Sequence, residues 1–412
     1  MSEGAAHTAI EDVARNSYGR LIAFLAARSG DVSGAEDALS DAFLSALVHW
    51  PERGIPAKPE AWLLHAARNR VIDAARHRQV HEASEAILQH TIEEAQAVAD
   101  AKDDFPDERL KLLFICAHPA MDNAARTPLM LQTVLGVDAA RVASAFLASP
   151  TAMGQRLVRA KLKIRAAGIA FSVPSPIEWN ERVAFVLDAI YSAYTAGWDS
   201  LTEIGSTYHA LSTDALSLGR TLVQLMPEEP EARGLLALML HCEARKDARF
   251  SKTGEFVPLD QQDPHLWLQP LIEEAEGHLH IASGYRKLGR YQLEAAIQSI
   301  HAHRAVTGRI DWSEIVLLYE GLSRIAASIG AQVGRAVALA QADRPTLGLA
   351  ALDEIPADRV KSYQPYWAAR GHLLQLLARY DEAQAAFTRA ASLTDDPALR
   401  AHLFKKSQTD LS

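Results

Sequence analysis

Two stretches of the chain concentrate arginine and lysine at helical spacing, and the chemistry these side chains offer is the binding of phosphate groups. Residues 62–81 hold four arginines and one acidic residue, and residues 150–168 hold five basic residues and no acid. Between them, residues 82–108 hold nine acidic residues and one lysine, in a chain whose net charge is −9. Basic side chains neutralise the phosphates of nucleic acids. The pattern predicts two nucleic-acid-binding helices joined by an acidic connector; the alternative is two solvated helix faces and a linker.

Catalytic chemistry has little support in the sequence. His278 and His280, like His301 and His303, are spaced two apart, so the members of each pair face different sides of a helix and form no ligand set with a nearby carboxylate. Neither of the glycine-rich motifs that bind nucleotide phosphates is present. We predict no enzyme activity, no metal and no cofactor.

A polar run within residues 245–267 has two interpretations. Its members are Arg245, Arg249, Asp260, Gln261, Gln262, Asp263 and Trp267. They could form a ligand or peptide site, or a buried hydrogen-bonded brace, which is at least as well supported. The sequence therefore assigns no site to this run.

The elements that position these groups are predicted to be helices. Alanine and leucine dominate and β-branched runs are rare, which predicts an all-α fold. Cys116 and Cys242 match neither a disulfide framework nor a zinc motif, as expected in a reducing cytoplasm, and Cys116 is expected to pack with His118 in the core. No apolar run approaches the roughly 18 residues of a membrane span, so we expect a cytoplasmic protein.

The first basic stretch follows an amphipathic helix and a loop. The predicted apolar stripe of helix 34–50 consists of Ala38, Ala42 or Phe43, Ala46 and Trp50. We predict that Trp50 packs in the core in preference to stacking on a base. Residues 50–60 contain three prolines and a glycine and predict a conformationally restricted loop, which leads into a helix over 59–78.

Residues 138–168 have the pattern of two helices joined by a short turn. Asp138 and Ser149 are the predicted N-caps. The residues predicted to face inward are Val142, Ala143 and Phe146 or Leu147 on the first helix, and Met153, Leu157, Ala160 and Ile164 on the second. The opposite side of the second helix carries Thr151, Ala152, Gln155, Arg156, Arg159 and Lys163. The first turns of such a helix reach base edges in the major groove, and Lys163 and Arg165 are predicted phosphate contacts.

These stretches resemble a known family. The segments AEDALSDAFLSALVHW (35–50), PEAWLLHAARNRVIDAARHR (59–78) and SPTAMGQRLVRAK (149–161) are similar, in the same order, to the core motifs of extracytoplasmic-function RNA polymerase sigma factors. One departure is Arg141, where that family usually has a glutamate.

The resemblance implies partners and site residues. It assigns core RNA polymerase to Glu36, Asp37, Asp41 and Phe43 on the first helix. It assigns the minus-ten promoter element to the loop 50–60 together with Arg68, Asn69, Arg76 and His77. It assigns the minus-thirty-five element to Thr151, Gln155, Arg156, Arg159 and Lys163.

The C-terminal part has features of a helical repeat. Trp367, Gly371, Leu374, Ala383, Phe387 and Ala390 match packing positions of a tetratricopeptide template. The resemblance then extends to a sigma-factor subgroup with a C-terminal helical-repeat extension. The predicted regions are a polymerase-clamp and minus-ten-binding module (1–81), an acidic linker (82–108), a helix-turn-helix module (109–172) and a helical regulatory domain (173–412).

The predicted function is that of a promoter-specificity subunit. Its expected partners are core RNA polymerase, promoter DNA and a regulatory protein at the C-terminal domain, with no membrane. Two alternatives remain open: a polymerase-independent helix-turn-helix regulator with a ligand-sensing repeat domain, and a repeat scaffold or enzyme whose DNA-binding modules are vestigial.

Overall fold

The computed structural model describes residues 3–78, 108–146, 148–167, 169, 176–199 and 209–408. These residues form helices joined by turns and loops, and the single bridge recorded among them joins Phe250 and Phe256 in antiparallel fashion. The predicted all-α fold class is confirmed.

The chain forms two compact units. The first comprises residues 1–196 with 210–215, and the second comprises 197–209 with 216–412. The first unit thus continues beyond residue 172, and the region boundaries predicted from the sequence stay predictions.

The first unit is built from eight described helices and from residues 210–215 at the start of a ninth. The eight are α1 (Glu3–Ser29), α2 (Val32–Arg53), α3 (Pro59–Arg78), α4 (Arg109–Cys116), α5 (Asn123–Thr133), α6 (Ala139–Ala145), α7 (Pro150–Ala166) and α8 (Pro176–Asp199). Helix α1 packs against α2, α3 and α4, whereas α7 packs against α2, α5 and α6. The side chains of most apolar positions on these contacts are fully buried.

Local signals explain where α2 begins and ends. The Asp31 carboxylate accepts a hydrogen bond from the Gly34 backbone N–H at 3.0 Å and so caps the first turn. Gly54, at a φ of 90°, closes the helix by donating its N–H to the Trp50 carbonyl at 3.0 Å. Because α2 continues through Pro51 to Arg53, the predicted loop 50–60 is wrong at its start: the residues between α2 and α3 are 54–58.

A glycine allows two backbones of the first unit to approach closely. A Cβ atom added to Gly19 on α1 would collide with the carbonyl oxygen of Val134, directly after α5. Any larger residue at this position would separate α1 from the segment that precedes α6 and α7.

The second unit contains the remaining helices. They are α9 (His209–Leu225, shared with the first unit), α10 (Pro230–Ala244), α11 (Gln269–Gly284), α12 (Arg290–Thr307), α13 (Trp312–Ile325), α14 (Ile329–Gln341), α15 (Pro345–Asp353), α16 (Ala357–Val360), α17 (Gln364–Leu376), α18 (Tyr380–Ser392) and α19 (Pro397–Gln408). Three 3₁₀ turns, Lys246–Arg249, Leu259–Gln261 and Pro264–Leu266, lie between α10 and α11. Neighbouring helices pack in pairs along the chain, among them α14 with α15 and α17 with α18.

The α17–α18 pair is held by close packing at a glycine. A Cβ atom on Gly371 would lie 2.9 Å from three atoms of the Phe387 ring, which is itself 4% exposed. Leu374, Ala383 and Ala390 are buried at the same contact. Five of the six residues that matched the repeat template are therefore buried where the two helices meet.

Candidate nucleic-acid interface

Helix α2 presents an acidic surface on the side opposite its core residues. Its buried stripe includes Ala38, Ala42, Ala46 and Trp50, as predicted, and Trp50 is 1% exposed, so the alternative of base stacking is wrong. The four residues assigned to polymerase binding differ in accessibility. Asp37 and Asp41 are exposed, whereas Glu36 and Phe43 are partly buried.

The outward side of α2 also carries apolar residues that the sequence analysis missed. Leu44 and Val48 are each 61% exposed. At 100° per residue they lie on the same helix face as Asp37 and Asp41. Their spacing in the sequence could have revealed their exposure, because it places them outside the apolar stripe that faces the core. We call Asp37, Asp41, Leu44 and Val48 the α2 outer face.

Helix α3 is anchored at its start by packing and by a hydrogen bond. The Trp62 ring meets Trp50 edge to face, with 5.6 Å between ring centroids. Ser17 on α1 donates its hydroxyl to Glu60 Oε1 at 2.8 Å. These contacts fix the position from which the basic side chains of α3 project.

The basic residues of α3 differ in exposure. Asn69 is exposed and its Nδ2 lies 3.5 Å from His65 Nδ1, whereas Arg68 is partly buried. Arg70 is exposed, with its Nε 3.9 Å from Asp41 Oδ2, and sequence reasoning had not singled it out. The side chains of Arg76 and His77 lie outside the described part of the chain.

Helices α6 and α7 follow their predicted caps and core. The Asp138 carboxylate accepts from the Arg141 N–H at 2.9 Å, and the Ser149 hydroxyl accepts from the Ala152 N–H at 3.2 Å. The buried residues of the pair are Val142, Ala143, Met153, Leu157, Ala160 and Ile164, as predicted. Phe146 is 38% exposed, so of the two residues offered for that inward position Phe146 is wrong, and Leu147 lies outside the described residues.

The side of α7 opposite its core is polar and open. Thr151, Ala152, Gln155, Arg159 and Lys163 are exposed there, and Arg156 is partly buried. Arg156 donates through Nη1 to the Ala124 carbonyl at 3.4 Å, and Arg159 donates through Nε to the Gln155 carbonyl at 3.3 Å. Val158 and Leu162 share this outward side and are 58% and 54% exposed. Hydrogen-bonding groups suited to bases are therefore concentrated in the first two turns of α7.

Two ion pairs join a third side of α7 to α2. Lys161 Nζ lies 2.7 Å from Glu36 Oε2, and both side chains are 15% exposed. Arg165 donates from Nε and Nη2 to Asp31 Oδ1 at 3.0 and 2.9 Å. The Arg165 guanidinium is thus held by the carboxylate that caps α2, and its contact with phosphate stays a prediction. Glu36, which the resemblance assigns to polymerase binding, is likewise held in an ion pair, with Lys161.

Reactive groups near the interface are buried or locally bonded. Cys116 is fully buried, and burial, the largest cause, raises the pKa of its thiol to about 12, so the thiol stays protonated at neutral pH. His118 Nδ1 accepts a hydrogen bond from the Ala120 N–H at 3.1 Å. Across the described ranges, no group of three or more potential metal-binding side chains comes together.

Comparison with known proteins identifies a relative over most of the chain. The uncharacterized protein R00370 of Rhizobium meliloti (strain 1021) is 37% identical over 374 residues, which are 90% of this chain and 88% of that protein. The chain belongs to the same family as this protein. No solved structure matches the chain.

Family models match two parts of the chain. Residues 14–80 match Sigma-70 region 2, and residues 182–283 match a family of unknown function (DUF6596). The N-terminal match supports the role of an RNA polymerase sigma factor, with core RNA polymerase and promoter DNA as its partners. Sigma-70 factors are transcription initiation factors and not enzymes. In the part of the chain that the structure describes, no helix combines the length and apolar character of a membrane span.

Proposed function

We propose that the protein is an extracytoplasmic-function sigma factor whose first unit carries both the polymerase-binding and the promoter-reading surfaces. In this proposal residues 1–81 bind the polymerase clamp and the minus-ten element, and residues 109–172 bind the minus-thirty-five element as a helix-turn-helix module. Residues 82–108 act as the acidic linker, of which 82–107 lie outside the described residues.

The polymerase-binding surface is the α2 outer face with Glu36 and Phe43. Its support is the combination of exposed carboxylates and exposed leucine and valine on one side of a helix whose other side is fully packed. Exposed apolar groups beside charges are typical of surfaces that bind another protein.

Promoter DNA is assigned to α3 and α7. On α3, Asn69 and Arg70 are accessible, and Arg68, Arg76 and His77 complete the proposed minus-ten surface. On α7, Thr151, Gln155 and Arg159 are proposed to read bases, with Arg156 and Lys163 at the backbone. The observation that carries the assignment is the exposure of Thr151, Gln155, Arg159 and Lys163 while the opposite stripe of α7 is buried.

The ion pairs between α7 and α2 bear on how polymerase is engaged. If Glu36 contacts polymerase, Lys161 must release it, because the pair is only 15% exposed on each side. The free protein is therefore proposed to hold part of its polymerase-binding surface inside the first unit until polymerase displaces α7.

The second unit is proposed to be a regulatory or protein-interaction domain with tetratricopeptide-like repeats. The α17–α18 pair supports this, since the close packing of Phe387 against Gly371 uses two template positions. Stacked helix pairs present extended surfaces that suit a protein partner.

The experiment is multi-round transcription with purified core RNA polymerase on pooled promoter DNA. The full chain should produce specific start sites that polymerase alone does not. Gln155→Ala combined with Arg159→Ala should abolish most of these transcripts, whereas Arg309→Ala, an exposed arginine of the second unit, should not. Absence of both polymerase association and new transcripts would overturn the proposal and favour the polymerase-independent regulator, which predicts operator binding by the protein alone.

A further inference from the structure

Four exposed residues form a straight row along the outward side of α7. Thr151, Gln155, Val158 and Leu162 follow one another at intervals of four, three and four residues, so at 100° per residue they lie within about 60° of one another. Val158 is 58% exposed and Leu162 is 54% exposed. We call these four residues the central row of α7. Its first half is polar and its second half is apolar.

Packing within the first unit does not account for the apolar half of the central row. The contacts of α7 with the core of the unit are made from the opposite side of the helix, and its ion pairs with α2 are made by Lys161 and Arg165. The residues buried on the core side are Met153, Leu157, Ala160 and Ile164. More than half of the surface of Val158 is therefore left for a contact outside the chain.

The charge of α7 favours DNA as the partner that covers this surface. The helix carries five basic residues and no acidic residue. Two of the five, Arg159 and Lys163, are exposed beside the central row. Cations without compensating acids attract the phosphates of a duplex. The apolar half of the row continues the polar half, which is the surface proposed to read bases.

The position of Val158 along α7 keeps it within the major groove. Residues advance by about 1.5 Å along a helix, so Val158 lies about 10.5 Å, and Leu162 about 16.5 Å, beyond Thr151 along the helix axis. The major groove of B-DNA is about 12 Å wide. Recognition helices enter it by their first turns. A helix docked in this way holds Val158 against base edges and leaves Leu162 beyond the groove.

The chemistry of Val158 selects one group among those that distinguish the bases in the major groove. These groups are hydrogen-bond donors and acceptors, together with the C5-methyl group of thymine. A valine placed against a donor or an acceptor would displace its water without replacing the hydrogen bond, which is unfavourable. Against a thymine methyl group, the same side chain buries apolar surface on both partners.

We propose that Val158 contacts the C5-methyl group of a thymine in the minus-thirty-five element and so makes the chain selective for thymine at that position. This assignment rests on the proposed function, which places α7 in the major groove of promoter DNA. Thr151 and Gln155 would then read neighbouring bases through hydrogen bonds, and Val158 adds an apolar contact that a hydrogen-bonding side chain does not supply.

The test replaces thymine by uracil, which has the same hydrogen-bonding edge and lacks only the C5-methyl group. Each thymine of the minus-thirty-five element, on either strand of a promoter obtained from the transcription experiment, is replaced singly. Binding of the holoenzyme, formed from core polymerase and the full-length protein, is measured by competition at constant salt. At one position uracil should weaken binding about fourfold, as expected for the loss of one buried methyl group.

Two variants assign the effect to a side chain. Val158→Ala should bind the thymine and uracil duplexes nearly equally, because the side chain that contacts the methyl group has been shortened. Leu162→Ala is the matched control, since Leu162 is an exposed aliphatic residue of the same row. It should keep the fourfold difference. The first comparison uses the unaltered protein, so the test does not depend on the folding of a variant.

The outcomes separate this inference from the function on which it rests. Promoter-specific binding that no single uracil weakens would overturn the thymine contact alone, as would a loss that persists in Val158→Ala or disappears in Leu162→Ala. Weaker binding of Val158→Ala to core polymerase in the absence of DNA would assign the residue to a protein contact instead. If the holoenzyme shows no promoter-specific binding to unmodified DNA, the proposed function fails and the thymine contact fails with it.

Discussion

Lys161 on α7 and Glu36 on α2 form an ion pair, with Nζ 2.7 Å from the carboxylate oxygen and both side chains largely shielded from solvent. The two residues are 125 positions apart in the chain. One belongs to the helix assigned to promoter reading and the other to the helix assigned to polymerase. The pair therefore couples the two proposed surfaces in the free protein.

Replacing Lys161 should release Glu36. In Lys161→Met the contact between α2 and α7 loses a partly shielded ion pair, which costs about 1–2 kcal/mol, between the values for exposed and buried pairs. If polymerase displaces α7 from Glu36, core polymerase should bind this variant more tightly, by up to about thirtyfold. The measurement is the dissociation constant for core polymerase, obtained by fluorescence anisotropy with the labelled full-length protein.

Lys163→Met is the matched control, since Lys163 lies two residues along the same helix and is exposed. It should leave polymerase affinity unchanged and weaken promoter binding by the holoenzyme in a salt-dependent way. Unchanged or weaker polymerase binding by Lys161→Met would remove Glu36 from the polymerase surface.

Short-range features of the fold were predictable from the sequence, whereas the pairing of Lys161 with Glu36 was not. The caps Asp138 and Ser149 and the buried stripe of α7 follow from spacing and side-chain chemistry that act within a few residues. The end of α2 was misjudged because Pro51 was read as a loop signal, whereas the helix accommodates it in its last turn. The partners of Lys161 and Arg165 depend on how α7 packs on α2, which helical periodicity does not encode.

The surroundings of Arg245 in the second unit illustrate the same limit, because Arg245 lines one small pocket with His241, Trp267 and His301. The sequence brought Arg245 and Trp267 to attention as members of a polar run, and favoured a buried brace at least as much as a ligand site. His301 was considered for metal binding alone, and His241, four residues before the run, was not considered. Packing of α12 against α10 and against the 3₁₀ turn Pro264–Leu266 brings all four residues together, and this tertiary arrangement could not be read from spacing.

A negative charge added to the α2 outer face should leave the stability of the free protein unchanged but should weaken polymerase binding. Leu44→Glu and Val48→Glu should each leave the unfolding free energy within about 0.5 kcal/mol, because both side chains are 61% exposed. Each should weaken core polymerase binding by about tenfold or more if the face is buried in the complex. The measurements are urea unfolding and polymerase pull-down with the full chain.

The control for the outer face is Leu317→Glu on α13, where the leucine is 66% exposed in the second unit. It should affect neither polymerase binding nor stability appreciably. If all three variants bind polymerase equally well, the α2 outer face is not the polymerase surface.

Acid should destabilise the second unit through its buried histidines. Burial lowers the pKa of His241 to about 4 from its ordinary value of 6.5, so between these values the unfolded chain binds a proton that the folded chain does not. Stability from this group is complete above pH 6.5 and is lost as the pH falls towards 4. At pH 5 the loss is ~2 kcal/mol relative to pH 8.

Urea unfolding of the full chain at pH 8 and pH 5 measures this effect. His241→Gln removes the titrating group and should reduce the difference between the two pH values by ~2 kcal/mol. His303→Gln, at an exposed histidine on α12, should leave the difference as it is in the wild type. An unaltered pH dependence in His241→Gln would contradict a neutral, buried His241.

The contact between Gly371 and Phe387 should make a single methyl group destabilising. In Gly371→Ala the new Cβ would lie 2.9 Å from the ring, and a buried ring can move only by shifting α18 against α17. Overpacking of this kind costs about 1–3 kcal/mol, which outweighs the gain of about 1 kcal/mol in helix propensity. Thermal or urea unfolding of the full chain should show the loss.

A second glycine and a double variant isolate the cause. Gly277 lies inside α11 with nothing within 4 Å of an added Cβ, so Gly277→Ala should raise stability by up to about 1 kcal/mol. Gly371→Ala should cost less when combined with Phe387→Leu than in the wild-type background, because the smaller side chain leaves room for the methyl group. Additive effects of the two substitutions would mean that the ring is not what excludes a side chain at position 371.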